Sequence, residues 1–356
     1  MDRVAPYLGI VAALGVFFFV ITHVGVAIPS PSNMTAIVGS SQAELTSPTQ
    51  EISSDVATTS SSSEQAVPVK ASTARTVDPA KLHAAASKLN SALVNIICFA
   101  PKKSGVHSIS GSGVIVSKNG LILTNAHVAQ YLLLVDRGVS CDIRTGSPAT
   151  STYRAALAYI PTAWVQENSA VLTTELPRGT GERDFAFLAI TESTQASSTL
   201  PSAFPYVPLS SAAPVEGTPV AIATYGAQFL EARQIASALF PTIVLSTVKG
   251  VFTFLDNTID VITLGGSAAA QEGSSGGGVV DANGNLVGTI TTSTVKGLLT
   301  DRSLSAITAA YIRTEYARET GQPLDVFLTK PTVTAVADFA PQAPALEALL
   351  VGALRR

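Results

Sequence analysis

The stretch Glu272-Gly273-Ser274-Ser275-Gly276-Gly277-Gly278 decides the reading of this chain, together with Thr124-Asn125-Ala126-His127-Val128 far upstream. A serine hydroxyl is a poor nucleophile at neutral pH. A neutral imidazole within hydrogen-bond reach takes its proton as attack proceeds. A buried carboxylate on the other ring nitrogen holds the tautomer and stabilises the imidazolium. The developing oxyanion needs fixed donors, which backbone N–H groups supply if the chain turns tightly beside the serine. Glycine makes such a turn without a Cβ clash. Gly273-Ser274-Ser275-Gly276-Gly277 meets this need, and an acid between His127 and Ser275 completes the set.

Around these motifs the pattern is one of short apolar strands. Gly111 to Ser117 and Leu121 to Val128 are read as strands joined through Lys118-Asn119-Gly120, and Gly278 to Asp281 and Leu286 to Thr292 as strands joined through Asn283-Gly284. Asn-Gly is a strong hairpin signal, because both residues tolerate positive φ. Ala92 to Phe99, Phe185 to Ile190, Val220 to Tyr225, Ile243 to Val248 and Val261 to Leu264 also read as strands. Many short strands predict sandwich or barrel packing, in two halves separated by the Ser- and Pro-rich segment 193–214. Asp78-Pro79 predicts the start of a short helix over Ala80 to Ser91, since Asp suits the N-cap and Pro the first turn. Ser305 to Thr320, ending at Gly321, reads as a helix with a glycine C-cap.

The chain has 356 residues, 46% hydrophobic and only 13% charged, with a net charge of −3. It lacks the clustered Lys and Arg that a nucleic-acid surface needs. Two cysteines, Cys98 and Cys141, are too few for a disulfide scaffold. No HExxH, CxxC, Walker or GxGxxG pattern occurs, so no metal or nucleotide cofactor is expected. Residues 1–28 hold an apolar run from Val4 to Ile28, long enough to span a bilayer, where about 20 helical residues suffice. Arg3 precedes it and the next basic residue is Lys70, which predicts an amino terminus in the cytoplasm and a body outside it. The alternative is a cleaved signal peptide and a secreted body. Residues 29–77, rich in Ser, Thr, Ala and Pro, read as a disordered linker. Residues 78–330 are expected as the folded body and 331–356 as a tail, in which Ala345 to Leu354 suits an apolar helix that docks on the body or a neighbouring subunit, the alternative being an ordered or frayed tail on its own domain.

Gly-x-Ser-Gly-Gly, preceded by Thr-Asn-Ala-His-Val and an Asp-Phe-Ala-Phe-Leu-Ala-Ile strand, resembles the trypsin-like (chymotrypsin-fold) peptidases, and within them the bacterial HtrA/Deg-type branch. The resemblance runs from about Ala92 to Tyr311. It implies an all-β fold of two six-stranded β-barrels with short flanking helices, in addition to the N-terminal transmembrane helix. It implies a serine endopeptidase with His127 as general base, Asp184 as orienting acid, Ser275 as nucleophile and the N–H groups of Gly273 and Ser275 as the oxyanion hole. Asp136, Asp142, Asp256 and Asp260 also lie between base and nucleophile, but only Asp184 heads an alternating apolar strand of the family type. The residue before the nucleophile is Ser274, where digestive members carry an Asp that pairs with a new amino terminus, so activation by clipping is not expected.

The resemblance also places Ala269, between Ala268 and Ala270, at the floor of the specificity pocket, which predicts cleavage after small or medium apolar residues. Thr291 and Thr292, in the strand Thr289 to Ser293, would line the cleft and pair with extended polypeptide substrates. Relatives often carry a PDZ domain after the peptidase; the tail offers no room for one. Cys98 and Cys141 flank the His127 hairpin and are expected either as a disulfide or as two separate thiols. Two rival functions stay open: a peptide-binding protein on a protease fold that no longer cuts, and another acyl hydrolase. The latter usually shows a strand–Ser–helix elbow, whereas Gly276-Gly277-Gly278 leads into a strand. Self-association is left open.

Overall fold

The computed structural model describes residues 77–102, 104–173, 180–196, 198–254, 258–265, 268–293 and 302–355. The expected transmembrane segment 1–28, and all but the last residue of the linker, lie outside the described residues. Among the described residues no helix is long and apolar enough to cross a membrane.

Helix α1 (Pro79–Ala92) begins as its sequence predicts, with Asp78 Oδ1 accepting the Ala80 N–H at 2.9 Å. Six strands follow: β1 (Leu93–Phe99), β2 (Ile109–Ile115), β3 (Leu121–Thr124), β4 (Ser140–Thr145), β5 (Thr150–Tyr159) and β6 (Ala186–Ser193). They close an antiparallel barrel in the order β1-β2-β3-β6-β5-β4. A second barrel is built from β7 (Pro219–Thr224), β8 (Thr242–Phe252), β9 (Val261–Leu264), β10 (Gly278–Asp281), β11 (Leu286–Ser293) and β12 (Leu304–Thr308), in the order β10-β11-β12-β9-β8-β7. Closure gives every strand two neighbours, although β11 runs on past Ile290, where its bonding to the β10 side ends. Val220, Ile222, Val248, Ile262, Val279 and Ile290 fill the second barrel. Ile96, Leu121, Leu123, Phe187 and Ile190 belong to the larger core cluster that includes the first.

Two expectations are corrected. The strand read over Leu121 to Val128 stops at Thr124, and His127 lies on a one-turn helix α2 (Ala126–Ala129) that runs into a 3-10 stretch, Gln130–Arg137. Asn125, the helix N-cap just past the strand, ties this turn to the start of β6 through its side-chain amide, whose Nδ2 donates to the Asp184 carbonyl at 2.8 Å. The helix read over Ser305 to Thr320 splits into β12 and α5 (Ala309–Thr320), α4 being the short helix Ala232–Ser237 between β7 and β8. Leu304 to Ile307 pair with β9, and β12 pairs with β11 on its other side. Thr308, at the junction, caps the helix by accepting the Tyr311 N–H. Strands β4 and β5 carry mixed polar sequences and were not foreseen.

The segment after residue 330 is an ordered tail that packs on its own domain. Beyond α5, helices α6 (Leu324–Thr329), α7 (Thr332–Phe339) and α8 (Ala343–Leu354) return to the first barrel. There α7 packs on β5 and β6, and α8 packs on the 3-10 stretch after α2 and on α3 (Thr162–Asn168). Arg137 and Glu347 seal that contact with an ion pair at 2.7 Å. In the reciprocal direction α1, which leads into β1, packs on β7 and β10 of the second barrel. Each end of the body therefore straps the barrel formed by the other end. Cys98 and Cys141, directly opposed on β1 and β4, form a disulfide with Cα atoms 4.1 Å apart.

Candidate active site

Three loops converge where the barrels meet. Helix α2 brings His127, half-buried, from the first barrel. Asp184 comes from the turn before β6 and is only 6% exposed. Its Oδ2 lies 2.8 Å from His127 Nδ1, and its Oδ1 accepts the His127 backbone N–H at 3.0 Å. With the carboxylate ionised, Nδ1 carries the ring proton and Nε2 keeps its lone pair. Oδ2 also accepts the Thr291 hydroxyl at 2.8 Å, from β11 of the second barrel. On the far side of α2, Gln130 Nε2 donates to the His127 carbonyl at 3.0 Å.

These contacts set the charge states of the pair. Burial alone would pull the imidazole down, but the Asp184 charge and hydrogen bond reverse it and raise its pKa above the ordinary 6.5. Burial alone would push Asp184 up. The histidine charge, the hydrogen bonds from the His127 ring and backbone, and that from Thr291 hold it below the ordinary 3.8. The carboxylate thus stabilises the imidazolium that forms when Nε2 takes up a proton.

The segment Glu272–Gly277 docks on the first barrel through Ser112 of β2. The Ser112 N–H donates to the Ser275 carbonyl at 2.7 Å, and its hydroxyl donates to the Gly273 carbonyl at 2.8 Å. The same hydroxyl accepts the Tyr225 N–H at 2.8 Å, and the Ser112 carbonyl accepts the Thr124 hydroxyl at 2.7 Å. Next to it, Gly111 lies between the Val128 side chain and the Ser275 carbonyl, which sets the serine loop against the histidine helix. Gly276, at φ +85°, has no room for a Cβ, which would overlap the Ser112 carbonyl oxygen. A glycine there is a requirement of this docking.

The two adjacent serines differ in environment. Ser274 is 1% exposed and its hydroxyl meets only Thr224 Oγ1, at 3.4 Å, whereas Ser275 is half-buried. No hydrogen bond joins Ser275 Oγ to the His127 imidazole. Such bonds often tighten only with substrate bound. The Glu272 carbonyl accepts the Ala227 N–H at 2.7 Å, and the Ser274 N–H is spent on the Gln271 carbonyl at 3.2 Å. The N–H groups of Gly273 and Ser275 donate to no described residue. Gly273, at φ +89°, lies against the Tyr225 carbonyl and Ala227.

Ala269 and Ala270 are fully buried in the second-barrel core. Arg302, which no motif in the sequence marks, is 6% exposed, and its Nη1 donates to the Ala270 carbonyl at 2.9 Å and to Gln228 Oε1 at 2.6 Å. Of Thr292, only the backbone, in β11, is described. His83 and His107 are exposed, and no group of His, Cys, Asp or Glu among the described residues could hold a metal ion.

Residues 111–288, half of the chain, match the family described as trypsin-like peptidase domain. The chain belongs to that family, and it is a serine endopeptidase. Solved structures similar to it include the Rv3671c protease of M. tuberculosis in its active form, at 19% identity over 69% of this chain and 89% of that one, with a TM-score of 0.42. A serine-to-alanine mutant of Rv3671c from strain H37Rv in an inactive form is 16% identical over 69% of this chain and 95% of that one, with a TM-score of 0.43. A search among curated proteins returns no match.

Proposed function

We propose that this chain cleaves polypeptides through an acyl-enzyme on Ser275, with His127 as general base, Asp184 as its orienting partner and the N–H groups of Gly273 and Ser275 as the oxyanion hole. As Ser275 Oγ attacks the scissile carbonyl carbon, His127 Nε2 takes the hydroxyl proton and a C–O bond forms. The carbonyl electron pair moves to oxygen, where the two N–H groups receive it. Collapse expels the amine, which leaves with the proton from the imidazolium. A water molecule then repeats the cycle and frees the acid. The observation that carries this reading is the Asp184–His127 pair at 2.8 Å beside a serine loop whose two flanking N–H groups are unspent. That arrangement favours an enzyme over a peptide-holding scaffold, which needs neither a fixed tautomer nor free donors.

Substrates are extended or unfolded segments that pair along β11 near Thr291 and Thr292. Cuts fall after small or medium apolar residues, supported by the buried Ala269 and Ala270 at the expected floor. The body works outside the cytoplasm, tethered by residues 1–28. Support comes from the apolar run and from the Cys98–Cys141 bridge, a bond characteristic of oxidising compartments. Processing or quality control of envelope proteins fits an enzyme so placed.

The test is digestion of a peptide library by the full chain, with cut sites read by mass spectrometry and Ser275→Ala as control. Cuts after Ala, Val or Leu that vanish in the variant are expected. Cuts after Asp or Glu would make the Arg302 guanidinium, rather than Ala269, the determinant. Cuts after Arg or Lys would overturn the apolar pocket.

A further inference from the structure

Arg183 is the only residue other than glycine with positive φ among the described residues, at +55°. That conformation crowds Cβ against the backbone, and a long side chain adopts it only where its surroundings enforce it. It directly precedes Asp184, and three elements enforce it. The Arg183 N–H donates to the Tyr311 hydroxyl of α5 at 3.0 Å. Its Nη1 donates to Glu167 Oε1 of α3 at 3.1 Å, and its Nη2 lies 3.1 Å from Glu182 Oε1. Its Nε lies 3.5 Å from Oε2 of Glu315, a buried carboxylate of α5 that Arg318 also grips, at 2.6 Å. Helix α5 is itself seated on both barrels. It packs on β11 and β12, while Tyr316 stacks edge-on against Tyr159 at 4.8 Å and Glu319 accepts the Tyr159 hydroxyl at 2.9 Å.

We propose that Arg183 is a positioning residue for the catalytic acid: Tyr311, Glu167, Glu182 and Glu315 hold it in the left-handed conformation that turns the Asp184 carboxylate onto His127. This rests on the triad reading above. It adds that the acid of the first barrel is aimed from elsewhere, since Tyr311 and Glu315 follow the last strand of the second barrel and Thr291 belongs to it. The geometry of Asp184 is then conditional on the seating of α5, and loss of that seating disables the base without touching it.

The experiment compares full-chain Arg183→Ala, Arg183→Gly and Tyr311→Phe with wild type. It reads kcat, KM, the acid limb of kcat/KM, and the His127 imidazole titration by NMR. Arg183→Ala should lower kcat by about tenfold with KM little changed, as small misplacements of catalytic groups do. Arg183→Gly, which adopts positive φ freely, should recover part of that loss. In Arg183→Ala and Tyr311→Phe the imidazole should titrate at lower pH than in wild type, because its carboxylate partner is less well aimed. An unchanged imidazole titration in both variants overturns the proposal, whatever happens to kcat. So does an Arg183→Gly variant no better than Arg183→Ala. If the wild type cuts nothing, the proposed function fails while the titration still decides this inference.

Discussion

The Thr291 hydroxyl on β11 of the second barrel donates to Asp184 Oδ2 in the first barrel, across 107 residues of chain, at 2.8 Å. Asp184 therefore gains this third partner, beyond the His127 ring and backbone, only when the two barrels are docked. Thr291→Val keeps the branched shape and removes the donor. A hydrogen bond to a buried charge contributes about 1.5–3 kcal/mol. We expect thermal stability to fall by up to that amount and kcat to fall with little change in KM, measured by calorimetry and steady-state kinetics on one peptide.

The pH profile follows from the His127–Asp184 pair. Catalysis needs neutral Nε2, and the carboxylate raises the imidazole above 6.5. Activity should therefore rise with pH, with its midpoint above that value. Stability carries the same signs. The raised imidazole contributes stability that is complete below pH 6.5 and fades as pH rises through its folded pKa. The lowered Asp184 contributes stability present above pH 3.8 and lost as pH falls through its folded pKa. Urea midpoints of wild type and His127→Ala, compared on both sides of pH 3.8 and of pH 6.5, check both windows.

Ser112 holds the serine loop through its N–H and its hydroxyl. Ser112→Ala leaves the Gly273 carbonyl and the Tyr225 N–H, both bonded to that hydroxyl, without their partner. A buried unsatisfied group costs about 1–3 kcal/mol. Because the Gly273 N–H is half of the proposed oxyanion hole, kcat should drop by up to about 10²-fold. The measurement is the rate of acyl-enzyme formation with an ester substrate, alongside the melting temperature.

The Cys98–Cys141 bridge closes a loop with a sequence separation of 43 and spans β1 to β4, away from the triad contacts. In the chain-entropy model it contributes about 4 kcal/mol. The double variant Cys98→Ala/Cys141→Ala should unfold at markedly lower denaturant, yet retain near-wild-type kcat at a temperature where it stays folded.

Local sequence carried the motifs and the hairpins. Val261–Leu264 and Gly278–Asp281 are read to the residue, because each is a short apolar run bounded by turn residues. Strands β4 and β5 escaped because Ser, Thr, Asp and Arg interrupt both of their faces, with Arg144 itself buried, which blurs the apolar alternation. Strand β12 was absorbed into the helix after it. Leu304 to Thr308 are mostly buried, so their apolar run has no period of two to separate it from a helical one. The contacts that support the site were beyond reach of any window: Ser112 to Gly273, Thr291 to Asp184 and Arg183 to Tyr311 join residues more than a hundred positions apart. The resemblance supplied Asp184; the residues that aim it had no local signature.

The most direct measurement is peptide mapping of the full chain after reaction with a fluorophosphonate probe. The account predicts a single adduct on Ser275, lost in Ser275→Ala and strongly diminished in His127→Ala. An adduct on Ser274, or no adduct at any pH at which the chain is folded, would contradict it.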